Sequence, residues 1–216
     1  MIITKYEQSG FVLKSDKKRI AVDIGEYTPR ETVERLAQVS AVIVSHIHKD
    51  HWSEEYAQML GGKLFTVAQV AEAVESPEKL DIHIHKVGDT FKIPETPFTV
   101  TVLPSDHGPH VSSPVENTAL LISDGDSSVY FLGDMFVSAA PIEQEYDAIM
   151  IPVGNNNYTF GPGEAASYIH ELGWNGVTIP VHYNGKLDPK TADEFAKQIE
   201  DDCLLTRLEI GQTFEI

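Results

Sequence analysis

Residues 42–51 of this 216-residue chain read Val-Ile-Val-Ser-His-Ile-His-Lys-Asp-His. The apolar run at 41–44 is typical of a buried strand, and the polar residues begin where that strand would end. Four residues of metal-ligand type follow within six positions, namely His46, His48, Asp50 and His51. Neutral imidazoles and carboxylates bind zinc and similar first-row metals. This density of ligand residues after a strand favours a metal-binding loop over a histidine-rich surface turn.

The same arrangement recurs at three later points of the chain. Apolar runs end close to His107, at the pair Gly133-Asp134, and at His182. Functional groups of α/β proteins gather at strand ends, where loops vary without disturbing the core. Seven ligands match the needs of two metal ions when one carboxylate bridges them and water completes the shell. The sequence therefore predicts two divalent ions, zinc in the first place, with Mn²⁺ or Fe²⁺ as alternatives.

Three other polar residues lie in comparable sequence contexts. Asp23 ends an apolar strand, so its carboxylate could reach the second ring nitrogen of a ligand histidine. A turn-forming role for Asp23 is an equally good interpretation. His83 and His85 alternate with apolar residues, which predicts that both lie on the solvated face of a strand and outside the metal site.

Composition and charge limit the range of functions. Hydrophobic residues make up 42% and charged residues 23%, as in ordinary globular proteins, and the simplest expectation is one domain over residues 1–216. The net charge of −17 disfavours binding to nucleic acids and to anionic membranes. Cys203 is the single cysteine, which excludes an internal disulfide. The chain shows neither a signal-peptide pattern nor an apolar run of about 18 residues, so we expect a cytoplasmic protein.

The combined motifs resemble a known fold. The pattern H-x-H-x-D-H, then a lone histidine, a Gly-Asp pair and a final strand-end histidine, resembles the metallo-β-lactamase fold of metal-dependent hydrolases. Residues 152–162 and 179–184 resemble a branch of small hydrolases related to ascorbate-6-phosphate lactonases and to phospholipase-D-type phosphodiesterases. The resemblance covers nearly the whole chain. It implies an α/β fold, a four-layer αβ/βα sandwich with the metal site along one edge.

The resemblance also implies a division of the ligands. The first metal would be held by His46, His48 and His107, the second by Asp50, His51 and His182, with Asp134 bridging. Two positions depart from the pattern: Met135 stands where many relatives have a small residue, and Gln8 where relatives often have histidine. A chain of 216 residues has no room for the inserted domains of nucleic-acid-cleaving branches or for a flavin domain.

The leading functional hypothesis is hydrolysis of an ester-type bond in a small molecule: a lactone, a phosphoester or a cyclic phosphodiester. Two metals would hold a hydroxide between them and polarise the scissile oxygen. Catalytic roles are predicted for Asp134 and Asp50, and His110 is a candidate substrate contact or proton donor, with an exposed loop position as its alternative. Further candidates for the pocket wall, each with a turn-forming or packing alternative, are Asn156, Tyr158, Tyr183 and Asn184.

Two other functions use the same residues. A nuclease or RNA-processing phosphodiesterase of this fold would keep the metals, but the acidic charge and the missing insertions argue against it. A non-catalytic metal-binding module would keep the fold, but a degenerate site is expected to have lost some ligands. The oligomeric state and the natural substrate are left open by the sequence.

Overall fold

Strands and helices alternate along the chain in the computed structural model, which describes residues 1–36, 38–111, 114–154, 157–183, 190–199 and 202–216. The strands of the first half are β1 (Ile2–Lys5), β2 (Phe11–Ser15), β3 (Lys18–Val22), β4 (Ala41–Val44), β5 (Lys63–Thr66), β6 (Asp81–Ile84), β7 (Thr90–Lys92) and β8 (Thr99–Pro104). Those of the second half are β9 (Thr118–Ser123), β10 (Ser128–Phe131), β11 (Ala148–Pro152), β12 (Val177–Val181), β13 (Leu204–Leu205) and β14 (Thr213–Glu215). The α-helices are α1 (Arg30–Arg35), α2 (Glu54–Met59), α3 (Ala68–Glu72), α4 (Pro162–Glu171) and α5 (Thr191–Ile199), with a 3₁₀ turn at Pro77–Lys79.

The strands form two seven-stranded mixed sheets. The first has the order β14-β1-β2-β3-β4-β5-β6 and the second the order β13-β12-β11-β10-β9-β8-β7. Strands β3 to β6 are parallel in the first sheet, as are β10 to β13 in the second, and the remaining neighbours are antiparallel. In each sheet, several strands therefore deliver their carboxyl ends to one edge.

Local sequence explains the central elements. Strand β4 is buried along its whole length, and its uninterrupted apolar run is what a parallel strand covered on both faces requires. Helix α2 begins at Ser53, whose side chain accepts a hydrogen bond from the Tyr56 backbone N–H at 3.3 Å. Helix α4 has Pro162 in its first turn, where the missing N–H costs no intrahelical bond.

The sheets pack face to face and each carries helices on its outer face. The central core joins both sheets, and the rings of Phe11 and Phe131 meet edge to face with centroids 5.1 Å apart. Helices α1 to α3 cover the first sheet, and α4 and α5 cover the second. The predicted four-layer αβ/βα sandwich is confirmed. In the described residues, no helix combines the length and the apolar character needed to cross a bilayer.

The prediction that His83 and His85 are solvated is confirmed for His83 and wrong for His85. Ile84 is 62% exposed, whereas His85 is 4% exposed and its ring stacks on Phe91. His83 stacks on Phe65 but stays exposed, with 43% of its side chain accessible. His85 follows the edge strand β6, and its stacking on Phe91 is what buries it. Both residues lie outside the groups of metal-ligand side chains, as expected.

The buried imidazole of His85 predicts a pH-dependent stability. Burial lowers the pKa of His85 from 6.5 to about 4, and both ring nitrogens lack a hydrogen-bond partner. As the pH falls from 6.5 towards 4, the unfolded chain gains a proton that the folded chain does not, so stability is lost. His85→Phe should remove this loss, which approaches about 3 kcal/mol. Urea unfolding of metal-free protein between pH 7 and pH 4 measures it, with His83→Phe as the control; parallel wild-type and His85→Phe profiles would contradict the prediction.

Candidate metal centre

The predicted ligand residues follow strands that run in the same direction within each sheet. His46, His48, Asp50 and His51 follow β4 in the first sheet. In the second sheet, β8 and β10 are both antiparallel to β9, and β12 is parallel to β10 through β11. The carboxyl ends of these three strands therefore share an edge, and they are followed by His107, Asp134 and His182. The facing sheets bring both sets of loops together.

The first group consists of His46, His48 and His107 with Asp134. Nδ1 of His48 lies 3.1 Å from Nε2 of His46 and 3.0 Å from Nε2 of His107. A ring nitrogen has one hydrogen or one lone pair, so it cannot form good hydrogen bonds to both neighbours. Nitrogens that each lie 2.0–2.1 Å from a tetrahedral zinc are roughly 3.3 Å apart, close to these separations. The three imidazoles are thus arranged as a ligand set.

The second group consists of Asp50, His51 and His182, again with Asp134. Nε2 of His182 lies 3.1 Å from Oδ2 of Asp50 and 3.2 Å from Oδ2 of Asp134. Nε2 of His51 lies 3.1 Å from Oδ1 of Asp134. Asp134 Oδ2 is also 3.6 Å from His107 Nε2 and 3.7 Å from His46 Nε2. One carboxylate therefore borders both groups, which is the place that a bridging ligand would occupy.

The donor set fits divalent cations. Nε2 of His51 and Oδ1 of Asp134 are buried and lie 3.1 Å apart, but the geometry between them is not that of a hydrogen bond and neither atom has another partner. Buried polar atoms without partners are rare in native proteins, and an ion is one of the few explanations. Five imidazoles and two carboxylates suit zinc, manganese or iron. The structure brings together all seven predicted residues, while their role as ligands stays a prediction.

A buried carboxylate supports the ligand histidines from behind. Asp23 Oδ2 lies 2.8 Å from His51 Nδ1 and accepts a hydrogen bond from Ser45 Oγ at 2.6 Å, while Asp23 Oδ1 accepts from the Ser45 backbone N–H. Ser45 Oγ is in turn 3.0 Å from His46 Nδ1. These contacts place hydrogen on Nδ1 of both histidines and direct Nε2 to the ligand groups. Of the two interpretations of Asp23, the structure supports contact with a ligand histidine; Ser45 had not been predicted.

The backbone around Asp134 and His182 is held in unusual conformations. Gly133 has φ +59°, and a Cβ at this position would lie 2.5 Å from the Thr118 carbonyl oxygen, so the Gly-Asp pair requires glycine. Asn117 Oδ1 accepts a hydrogen bond from the Asp134 backbone N–H, and Asn117 Nδ2 donates to Ser105 Oγ. Asn117 therefore connects the loop of Asp134 with the loop of His107. His182 itself has φ +55°, and its N–H donates to the carbonyl of Gln8. Left-handed conformations of bulky residues cluster at functional sites, where surrounding contacts maintain them.

Electrostatics differ between the two groups. Burial, together with the neighbouring histidines, holds the pKa of His46 well below 6.5, so its imidazole is neutral and free to coordinate. Burial also acts to lower the pKa of His182, but Asp134 and Asp50 outweigh it and raise that pKa to about 9. Burial likewise acts to lower the pKa of His51, but the same carboxylates, together with Asp23, outweigh it and hold that pKa well above 6.5. Cation binding at the second group would therefore release protons from its histidines.

The remaining predicted residues are arranged differently. His110 is exposed and its ring packs against Phe136, with centroids 5.3 Å apart, outside both ligand groups. Tyr183 is buried and its hydroxyl donates to the Leu208 carbonyl, so packing rather than pocket lining describes it. Tyr158 is 45% exposed.

Met135 lies in the core between the second sheet and its helices. Asn156 and Asn184 lie outside the described residues.

Sequence similarity agrees with this fold and donor set. The model of the β-lactamase superfamily domain matches residues 2–182. The chain therefore belongs to the β-lactamase superfamily, in its class of metallo-β-lactamase-fold, metal-dependent hydrolases. A protein of Metallosphaera sedula named UPF0173 metal-dependent hydrolase is 25% identical over 207 residues, which cover 84% of this chain and 83% of that protein. Across three such relatives, the aligned part spans 66% to 89% of their own length.

Solved structures show the same fold. Igni18, a metallo hydrolase from the archaeon Ignicoccus hospitalis, superimposes with a TM-score of 0.80 at 20% identity and covers 100% of this chain and 98% of its own. An isothiocyanate hydrolase from Delia radicum gut bacteria gives a TM-score of 0.74 at 18% identity, with coverages of 100% and 99%. At these identities, the similarity establishes the architecture and leaves the substrate open.

Proposed function

We propose that this chain hydrolyses an ester-type bond of a small molecule, a lactone, phosphoester or cyclic phosphodiester, with two divalent ions. Zinc is the first candidate, with manganese or iron as alternatives. The observation that carries the proposal is the position of Asp134, whose two oxygens face histidines of both ligand groups at 3.1–3.7 Å. A shared carboxylate of this kind is what a two-metal hydrolytic centre needs.

Each predicted residue would have a defined role in binding the ions or in the reaction. His46, His48 and His107 would hold one ion, Asp50, His51 and His182 the other, and Asp134 both. Bound divalent ions supply Lewis-acid polarisation of the scissile oxygen and acidify an attacking water. Asp134 and Asp50 have carboxylate oxygens at the centre of the donor set, where they can accept the proton of that water. Asp23 and Ser45 keep the imidazoles in the tautomer that directs Nε2 inward.

Charge supports a small substrate. The chain carries a net charge of −17, and Lys49, the lysine inside the histidine loop, points away with 76% of its side chain exposed and Nζ 3.4 Å from Glu26. Lys186, the other basic residue of the predicted site loops, lies outside the described residues. A long polyanion would be repelled along its length without a basic track to bind it. The isothiocyanate hydrolase that shares the fold acts, by its name, on a small molecule. We propose that the substrate of this chain is also a small molecule and that the protein acts in the cytoplasm.

The decisive experiment compares small esters with nucleic acids. Protein reconstituted with zinc, manganese or iron should hydrolyse members of a panel of lactones, phosphomonoesters and cyclic phosphodiesters, and chelator should abolish the activity. The kcat/KM for short oligonucleotides should be at least about 100-fold lower at low and at high salt, because counterion release cannot assist an acidic surface. A strong oligonucleotide preference that falls steeply with salt would favour the nuclease. Stoichiometric metal without turnover of any substrate would favour the non-catalytic module.

A further inference from the structure

A cleft with an apolar lining lies beside one of the two ligand groups. It has a volume of about 500 Å³, and its floor includes His107, one of the predicted ligands of the first ion. Its apolar wall is formed by Val87, Pro104, Val115, Val137, Ala139 and Ala140. We call it the His107 cleft. A molecule in the His107 cleft would therefore lie beside a predicted ligand of the first ion.

Two of its wall residues are exposed to an unusual degree. Val87 is 51% and Val137 45% exposed, although both are large apolar side chains. They come from different parts of the chain: Val87 follows β6, and Val137 pairs with Asp106 in an isolated β-bridge. Single exposed valines need no explanation, but two that converge on a concave surface beside a catalytic ligand indicate an apolar binding site.

Two polar side chains of the His107 cleft, those of Asn117 and Asp106, are already bonded within the protein. Asn117 Nδ2 donates to Ser105 Oγ at 2.8 Å, and Asn117 Oδ1 accepts from the Asp134 backbone N–H. Oδ1 of Asp106 accepts from the Gly108 backbone N–H at 2.7 Å. These groups therefore shape the cleft and offer little to a charged ligand.

The charge of the lining disfavours anions. Among the described residues that line the His107 cleft, Asp106 carries the one formal charge, and neither lysine nor arginine is present. A phosphate or carboxylate placed here would meet a like charge and no counter-charge. An uncharged apolar group would cover Val87 and Val137 and meet no such penalty.

We propose that the His107 cleft binds an uncharged aliphatic or aromatic group attached next to the scissile bond. This inference rests on the proposed function and narrows it: among the ester-type substrates, it selects a lactone or neutral ester with an apolar substituent over one with a free phosphate on that side. The occupant is the non-reacting part of the substrate, which supplies binding energy and positions the bond at the ligand groups.

Direct binding tests the inference without turnover. Ligand-observed NMR on the metal-free protein would compare hexanamide, acetamide and hexyl phosphate. Hexanamide should bind about tenfold or more tightly than acetamide, because it buries four more methylenes, and also more tightly than hexyl phosphate. Val137→Asp and, independently, Val87→Asp should weaken hexanamide binding about tenfold, since each places a carboxylate in the apolar wall. Ile84→Asp, at an exposed position outside the cleft, is the matched control and should bind as wild type.

Kinetics separate this inference from the proposed function. In the metal-reconstituted protein, kcat/KM for γ-lactones should rise with the length of the alkyl substituent, Val137→Asp should flatten that rise, and Ile84→Asp should leave it unchanged. Selective hexanamide binding without lactone turnover would retain the cleft and reject the hydrolase. Turnover that is independent of chain length, together with equal binding of hexanamide and acetamide, would reject the cleft and retain the hydrolase. Tighter binding of hexyl phosphate, or unchanged hexanamide binding by both Asp variants, would overturn the inference.

Discussion

Asp134→Asn is expected to lower kcat by about a thousandfold or more while the fold survives, a larger effect than the 10–100-fold typical of outer-shell partners of metal ligands. The side chains are nearly isosteric, but the amide has no charge to balance two dications and presents one oxygen where the carboxylate presents two. Asp134 Oδ1 lies 3.1 Å from His51 of the second group, whereas Oδ2 lies 3.6 Å from His107 of the first group and 3.2 Å from His182 of the second. Removal of one oxygen should therefore weaken one ion selectively.

Elemental analysis and steady-state kinetics on the same preparations check this expectation. Asp134→Asn should retain fewer than two metal ions per chain after dialysis, with a circular dichroism spectrum like that of the wild type. Asp81→Asn removes an exposed carboxylate that contacts His83 away from the ligand groups, so it should change neither metal content nor rate. A fully active Asp134→Asn protein with two ions would remove Asp134 from the bridging position.

Replacement of a single ligand histidine should remove metal from one of the two predicted ion positions and largely spare the other. His107→Ala should mainly deplete the first ion and His182→Ala the second, each with at least about a hundredfold loss of affinity at the affected position. The reason is geometric: Nε2 of His107 approaches His48 at 3.0 Å, whereas Nε2 of His182 approaches Asp50 at 3.1 Å. The shared Asp134 should transmit a smaller loss to the other position.

Histidine NMR identifies which position is still filled. Metal added to His182→Ala should shift the ring nitrogens of His46, His48 and His107 before that of His51, and the order should reverse in His107→Ala. His83→Ala, a change outside the ligand groups, should bind metal as the wild type does. Loss of metal from His83→Ala, or identical losses in His107→Ala and His182→Ala, would mean that the division of ligands is wrong.

The sequence was sufficient for the fold and for the convergence of the seven residues. Parallel strand ends meet at one edge of a sheet, so ligand-type residues that follow several apolar runs have a physical reason to converge. The division into two groups came from the resemblance, since spacing along the chain cannot show which histidine of 46–51 approaches His107 and which approaches His182. The side-chain contacts bring His107 close to His46 and His48, and His182 close to Asp50 and His51, while the division between two ions stays a prediction.

The supporting contacts could not be predicted because they depend on packing. Ser45 stands within the histidine loop, but its partner Asp23 is 22 residues away, and Asn117 meets Asp134 across 17 residues. The alternation at residues 81–85 could not show that His83 and His85 differ in exposure, because β6 is an edge strand and His85, which follows it, is buried by its contact with Phe91. The hydroxyl of Tyr183 donates to the Leu208 carbonyl, 25 residues further along the chain, and no local sequence pattern indicates that contact.

The two ligand groups take residues from both sheets, with His46 to His51 on one and His107, Asp134 and His182 on the other. An ion coordinated there would link the two sheets at one edge of the sandwich. It would join segments that are 132 residues apart in the sequence, at Asp50 and His182. The unfolded chain cannot hold these donors together, so metal would bind the folded chain alone. The free energy of metal binding would therefore add to the free energy of unfolding. The concentration of free metal would then determine the stability of the folded protein as well as its activity. Without metal, the chain would unfold first at the edge that holds the two ligand groups.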